Sequence, residues 1–451
     1  MPVPPPTMSG VSSPPLQLAS RRPPIARTTD RRITLAGLLV AGTYLAAAAA
    51  SLLLPPAVRH GGWLPLHLAL AGAATSAIGA ALPFFTSALS ASPPADARGR
   101  VLVLALLGGG AAAITAGVTG GSWLRGDSLA AAGGAAFVAG VVALGWVAFA
   151  PLRGGLGTRR PLVLAAYAVA LADVGTGATI ATLYVGGYGP VAAAWDDLRA
   201  VHAWLNLYGF VSLVIGGTLV HLLPTVLGTL IRGDRTVLGV VAGLALGPAL
   251  VAAGLLVAPS LAGPATAVAR LGSLAELAGA AALLVYVGAT WRRRGRWTSD
   301  AGWHLLTGGS LSAAAGWFAV SVAIGGGRLL VFGAAPGAWS LEAVAAPLVL
   351  GWVVQAIVGA WTHLAPAIGP GDPVVHARQR DLLGRAAAVR LACFQLGVAG
   401  LAVGVPLGSD PLVIGGGLLA AAVLLVSLAL LVRAALLGRS AGSRAEGRVA
   451  G

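Results

Sequence analysis

From Ile33 to Ala435 the chain is a succession of apolar runs, each of about 20 residues or more, separated by short arginine-bearing loops. A helix rises 1.5 Å per residue, so a run of about 20 crosses the roughly 30 Å hydrocarbon core of a bilayer. In lipid every backbone N–H and C=O needs a partner within its own segment or a closed barrel, so runs of this length and composition have to be helices. Composition agrees. Hydrophobic residues make up 57% and charged residues 10% of the 451, whereas a soluble domain carries about a quarter charged. The expected fold is therefore all-α, a polytopic integral membrane bundle. Spans are predicted near 33–54, 63–90, 99–119, 128–151, 161–186, 200–230, 236–258, 264–290, 302–325, 341–367, 387–407 and 411–435. Residues 1–32, rich in Pro, Ser and Arg, are expected to be a disordered tail, 33–435 one transmembrane domain, and 436–451 a second tail. The first run follows Arg31 and Arg32, is about 22 residues long and has no convincing cleavage site, so it is read as a span rather than a secretory signal.

The charges orient the bundle. The net charge is +15, and every basic residue is an arginine. Basic residues between apolar runs concentrate on the cytoplasmic side, so here they report topology rather than an affinity for nucleic acid. Arginines of the N-terminal tail, of every second loop (98–100, 153–160, 232–235, 292–296, 378–390) and of the C-terminal tail number 24. The alternate loops and span ends hold five: Arg59, Arg125, Arg199, Arg270 and Arg328. Twelve spans with both termini in the cytoplasm follow, in the plasma membrane.

An internal repeat divides the spans. Gly209-Phe-Val-Ser-Leu-Val-Ile-Gly-Gly-Thr-Leu-Val-His-Leu-Leu-Pro224 aligns, at an offset of 142 residues, with Gly351-Trp-Val-Val-Gln-Ala-Ile-Val-Gly-Ala-Trp-Thr-His-Leu-Ala-Pro366, with seven identities that include the His and the Pro. Span 2 ends similarly at Pro83, although Ala80 stands where the His would be. Spans 2, 6 and 10 thus end alike, which predicts three four-helix repeats in parallel. A proline near the inner end of each marked helix frees backbone carbonyls there.

Five histidines fall within spans and sort into two layers. His67 and His202 lie near the outer side; His221, His304 and His363 lie near the inner side. His202 and His221 are 19 residues apart, about 28 Å along a helix, and cannot share one metal ion. The lone Cys393 excludes an intrachain disulfide and any cysteine-based metal cluster, which leaves neutral imidazole as the ligand for haem iron, copper or zinc. The outer pair suits a haem or half of a metal site, and the inner trio suits copper or zinc. An interhelical His-to-carbonyl hydrogen bond accounts for such residues equally. On span 6, His202, Asn206 and Gly209 share one face, the glycine leaving room for a flat ring or for a neighbouring helix; Thr218, His221 and Thr225 share another. His60 and His376 are read as solvated loop residues. Asp173 and Glu276 lie mid-span, where a carboxylate costs about 2.5–3.5 kcal/mol on insertion scales. Each is expected to face the interior, protonated or paired, as part of a proton or ion pathway or as a single interhelical hydrogen bond.

The stretch Val201-His-Ala-Trp-Leu-Asn-Leu-Tyr-Gly-Phe, continuing to His221 and Pro224, resembles the histidine-bearing helices of the haem–copper oxidase subunit I superfamily, including NnrS-like haem- and copper-containing membrane proteins and the membrane domains attached to some bacterial copper oxidases. The resemblance implies twelve helices in three four-helix arcs, haem and/or copper as cofactors, His67 in the place of the helix-2 haem ligand, and a soluble copper or redox protein as a partner at the outer face. The family's adjacent His-His on helix 7 and His-x-His on helix 10 are absent, so the expectation is a redox or metal- or nitrogen-oxide-handling protein and not a complete terminal oxidase. No catalytic residue is assigned. The alternative expectation is an ion-coupled secondary transporter using Asp173 and Glu276.

Overall fold

The computed structural model describes residues 24–120, 126–155, 157, 160–230, 235–335, 337–367 and 372–449, with side-chain environments between 32 and 437. Among the described residues 86% are helical and none is in a strand. Twelve helices are long and apolar enough to cross a membrane: α1 (Arg32–Ser51), α2 (Trp63–Ser90), α3 (Ala97–Gly120), α4 (Gly126–Gly154), α5 (Pro161–Val185), α6 (Trp195–Val226), α7 (Arg235–Val257), α8 (Ala262–Arg292), α9 (Ala301–Phe332), α10 (Leu341–Pro366), α11 (Ala387–Leu407) and α12 (Asp410–Leu437). The chain is a polytopic helical membrane protein, and each predicted span has its helix.

The differences lie at the ends. Helix α1 is continued N-terminally to Pro24 and α12 C-terminally to Val449, so helix reaches into both segments expected to be tails. The Ala, Leu, Arg and Glu between 436 and 449 favour helix over the opposition of Gly438, Gly442 and Gly447, and no proline interrupts it. Residues 1–23 and 450–451 lie outside the described residues, as do Arg125, Arg159 and Arg232 of the loop count. Helix α6 starts at Trp195, which puts Asp196 and Asp197 in its first turn, where they complement the helix dipole. Two arginines assigned to loops are instead inside helices and buried: Arg100 in α3 and Arg390 in α11. His376, also expected in a loop, is half-buried on a short helix, Pro373–Leu383.

Three helices form the centre. In α2, α6 and α10, 72–83% of the residues in the most apolar stretch are buried, against 56% or less in the other nine. Each of the three also contains a wide π-helical stretch, Leu68–Ala74, Leu205–Ser212 and Ala346–Val354, and each carries its proline further on, Pro83, Pro224 and Pro366. Trp352 of α10 donates its indole N–H to Ser212 Oγ of α6 at 3.0 Å and packs on Phe318 of α9.

Around that centre the remaining helices pair through bare backbone. A Cβ on Gly110 of α3 would lie 2.8 Å from the Gly133 carbonyl of α4, one on Gly243 of α7 would run into Gly279 Cα of α8, and one on Gly397 of α11 would lie 2.8 Å from Ala420 N of α12. These three hairpins approach so closely because small residues line both helices, the usual way helices associate in lipid. Helices α1, α5 and α9 lie against α2, α6 and α10, respectively.

Candidate functional site

The end of the bundle that holds His67 and His202, expected to face outward, is here termed the outer end. Both imidazoles sit just before a π-helical stretch. The His202 ring nitrogen Nδ1 lies 2.8 Å from the Gly177 carbonyl of α5, and His67 Nδ1 lies 3.2 Å from the Trp63 carbonyl one turn earlier. A carbonyl only accepts, so an Nδ1–H on His67 donates to Trp63 and leaves Nε2 its lone pair, whereas His202 Nδ1 is shared between the Gly177 carbonyl and the Asn206 amide nitrogen at 3.1 Å. A contact from Nδ1 to a backbone carbonyl is one that orients a metal-ligating histidine. Trp63 stacks on His67 with ring centroids 4.0 Å apart.

The predicted face of α6 is packed against a neighbouring helix. Asn206 donates to the His202 carbonyl at 2.7 Å, and a Cβ on Gly177 of α5 would run into its amide nitrogen. Gly209, with room for either a flat ring or a helix, has Asp173 of α5 over it: a Cβ there would lie 2.6 Å from Asp173 Oδ2. Asp173 is buried, and that oxygen has no hydrogen-bond partner among the described residues. His202, Asn206 and Asp173 therefore line one polar seam between α5 and α6, Asp173 buried and the other two half-buried.

Glu276 lies elsewhere. It is fully buried on α8 with neither carboxyl oxygen hydrogen-bonded among the described residues, faces the Trp204 indole of α6, and packs against Gly247 of α7. Trp204 stacks on Tyr208 at 4.6 Å and meets Trp339 of the loop after α9 edge-on at 5.1 Å. The structure thus keeps Asp173 and Glu276 apart, one over Gly209 and the other among the aromatic rings of a different face of α6.

At the inner end, Trp303 divides the expected trio. Its indole stacks on His363 at 5.1 Å and meets His304 edge-on at 4.8 Å, pinned by a 2.8 Å bond from its N–H to the Thr362 carbonyl. His304 also stacks on Trp297 and has Nδ1 3.2 Å from the Val226 carbonyl. His221 stands apart on α6. Of its expected face-mates, Thr218 pairs with the Tyr167 hydroxyl at 2.9 Å and Thr225 bonds the His221 carbonyl at 3.3 Å. Among the described residues no three His, Cys, Asp or Glu side chains converge to hold a metal ion.

No model of a known protein family matches the chain, and no curated protein matches it. The site is therefore read from its own geometry. Sequence reasoning missed Trp303, although it directly precedes His304. It also missed the π-helical stretches, and Gln355 of α10, which is buried with neither side-chain amide atom hydrogen-bonded among the described residues. A search confined to charged residues and histidines passes over Trp303 and Gln355, and no sequence period distinguishes a π turn from an α turn.

Proposed function

We propose that the chain is a haem–copper oxidase subunit I-like membrane protein that binds haem or copper at its outer end through His67 and His202. The observation that carries this reading is the shared orientation of the two imidazoles: on two of the three central helices, both place Nδ1 against a backbone carbonyl and turn Nε2 the other way. The donor set fits, because two neutral nitrogens with free lone pairs suit haem iron or copper. A bound haem or copper would supply a one-electron redox couple. The chain's own part is to fix the rings through Trp63 and Gly177.

The superfamily's architecture is supported by the period of four in the packing. The second helix of each group, α2, α6 and α10, is central, π-helical and proline-bearing, and the third and fourth form a glycine-lined hairpin. We infer three parallel four-helix units, cytoplasmic termini, residence in the plasma membrane, and a soluble copper or redox protein as the outer partner. His304 and His363 flank Trp303 and are assigned, with His221, to the inner end without a shared metal ion.

The test is the visible spectrum and metal content of protein purified in mild detergent. A Soret band or stoichiometric copper that is lost in both His67→Ala and His202→Ala is expected; a colourless protein with substoichiometric iron and copper overturns the proposal. The second reading, an ion-coupled transporter, draws on Asp173 and Glu276, whose buried oxygens lack partners among the described residues. It is favoured if proteoliposomes of a metal-free protein show ion-driven uptake that Asp173→Asn and Glu276→Gln abolish.

A further inference from the structure

Helices α9 to α12 line a small, partly open cavity of about 30 Å³ in the inner half of the bundle. Each contributes a polar side chain: Ser310 from α9, Gln355 from α10, Arg390 from α11 and Ser427 from α12. Leu391 and Phe394 close it with apolar walls. By the same measure a water needs roughly 10–15 Å³, so the space takes a small ion or two to three waters.

Arg390 determines what that particle is. It is 5% exposed, and its guanidinium is charged at every accessible pH. Nη1 donates to the Leu383 carbonyl at 2.8 Å and the Arg385 carbonyl at 3.3 Å, and Nη2 donates to Ser427 Oγ at 2.9 Å. Among the described residues Nε has no partner, and neither does the amide nitrogen of Gln355, a residue only 3% exposed. Among the same residues no carboxylate pairs with Arg390: the arginines in ion pairs nearby are Arg380, with Asp300, and Arg385, with Asp381. Carbonyl and hydroxyl dipoles satisfy hydrogen bonds without neutralising the charge. In a low-dielectric interior an opposite charge a few ångströms away is worth far more than a neutral acceptor. A buried cation inside a membrane span is tolerated when it is paired.

We propose that this cavity is a binding site for a small monovalent anion, of which chloride is the representative, held by Arg390 Nε and the Gln355 amide, with the Ser310 hydroxyl on the same wall. Water fits the volume but leaves the guanidinium without a counter-charge. The site is independent of the histidine layers, and its test does not require any metal to be bound.

Protein exchanged into sodium gluconate is titrated with sodium chloride or bromide at constant ionic strength while thermal unfolding is followed, and bound chloride is counted by equilibrium dialysis with the radiolabelled ion. A saturable rise in Tm and about one chloride per chain are expected. Gln355→Leu, which leaves every Arg390 hydrogen bond described above in place, should weaken halide binding at least about tenfold, and Arg390→Gln should abolish it. A Tm that ignores halide, dialysis well below one equivalent, or unchanged affinity in Gln355→Leu overturns the proposal and assigns the cavity to water. Should a variant fail to fold, the dialysis of the unaltered protein decides alone.

Discussion

The polar residues of the outer end are placed by what the facing helix lacks. Gly177 and Gly209 are bare at the two points where Asn206 and Asp173 cross between α5 and α6, so a side chain at either position has to displace a polar group, half-buried at Asn206 and buried at Asp173. Gly209→Val is expected to destabilise the protein by about 1–3 kcal/mol, the usual cost of overpacking, measured as a lowered Tm in detergent. Adding Asp173→Ala should recover part of the loss, because it removes the atoms the new side chain meets. The face shared by His202, Asn206 and Gly209 is legible from helical spacing. What lies opposite is not, because the carboxyl of Asp173 comes from another helix and spacing within one segment carries no information about a neighbour. The inner trio fails as a group for a related reason: depth along the bundle is readable, but the indole of Trp303, inserted between His304 and His363, occupies the lateral space that depth says nothing about.

Helices as units are legible in number and place, with ends off by up to seven residues, as at Phe332 of α9 against a predicted end at 325, since hydropathy reports length and the bilayer fixes how much is needed. Their internal geometry is hidden. A π turn closes on i→i+5 and accommodates one residue more than the α-helix, with no change in the apolar character of the run. In α6 the stretch Leu205–Ser212 sits between His202 and His221. Deleting Leu207 should convert it to an α-helix and rotate the outer half against the inner half by about 100°. The His202 bond to Gly177 would then be lost while the inner end kept its place. The expected result is a folded protein with impaired outer-site absorbance or metal content; a deletion variant with an unaltered spectrum would show that the π turn has no part in placing His202.

For the molecule as a whole, the alternation of arginines predicts sidedness. Cys393 is the single cysteine, so Cys393→Ser supplies a background in which one introduced thiol is read at a time. A cysteine at Ala335, after α9, should react with a membrane-impermeant reagent on intact cells, and one at Ser299, before α9, should react only after lysis. The reverse pattern would turn the bundle over. The charge alternation keeps its sense although Arg100 and Arg390 are inside helices, because both lie in the first turns, close to the loops to which they were assigned. A tally of charges by loop detects such a residue's side of the membrane but not its burial, and the anion cavity around Arg390 is invisible to it for that reason.

The central position of α2, α6 and α10 has a consequence for how the protein is made. The helices with the most surface to bury leave the ribosome second in each group, before the hairpin that follows has been synthesised. During that interval their histidines, asparagine and glutamine are in the bilayer, or at the insertion machinery, with only α1, α5 or α9 already beside them. Assembly must therefore hold each unfinished pair until the glycine-lined hairpin arrives, and slow translation within α3, α7 or α11 would prolong the moment at which the nascent chain is most open to degradation.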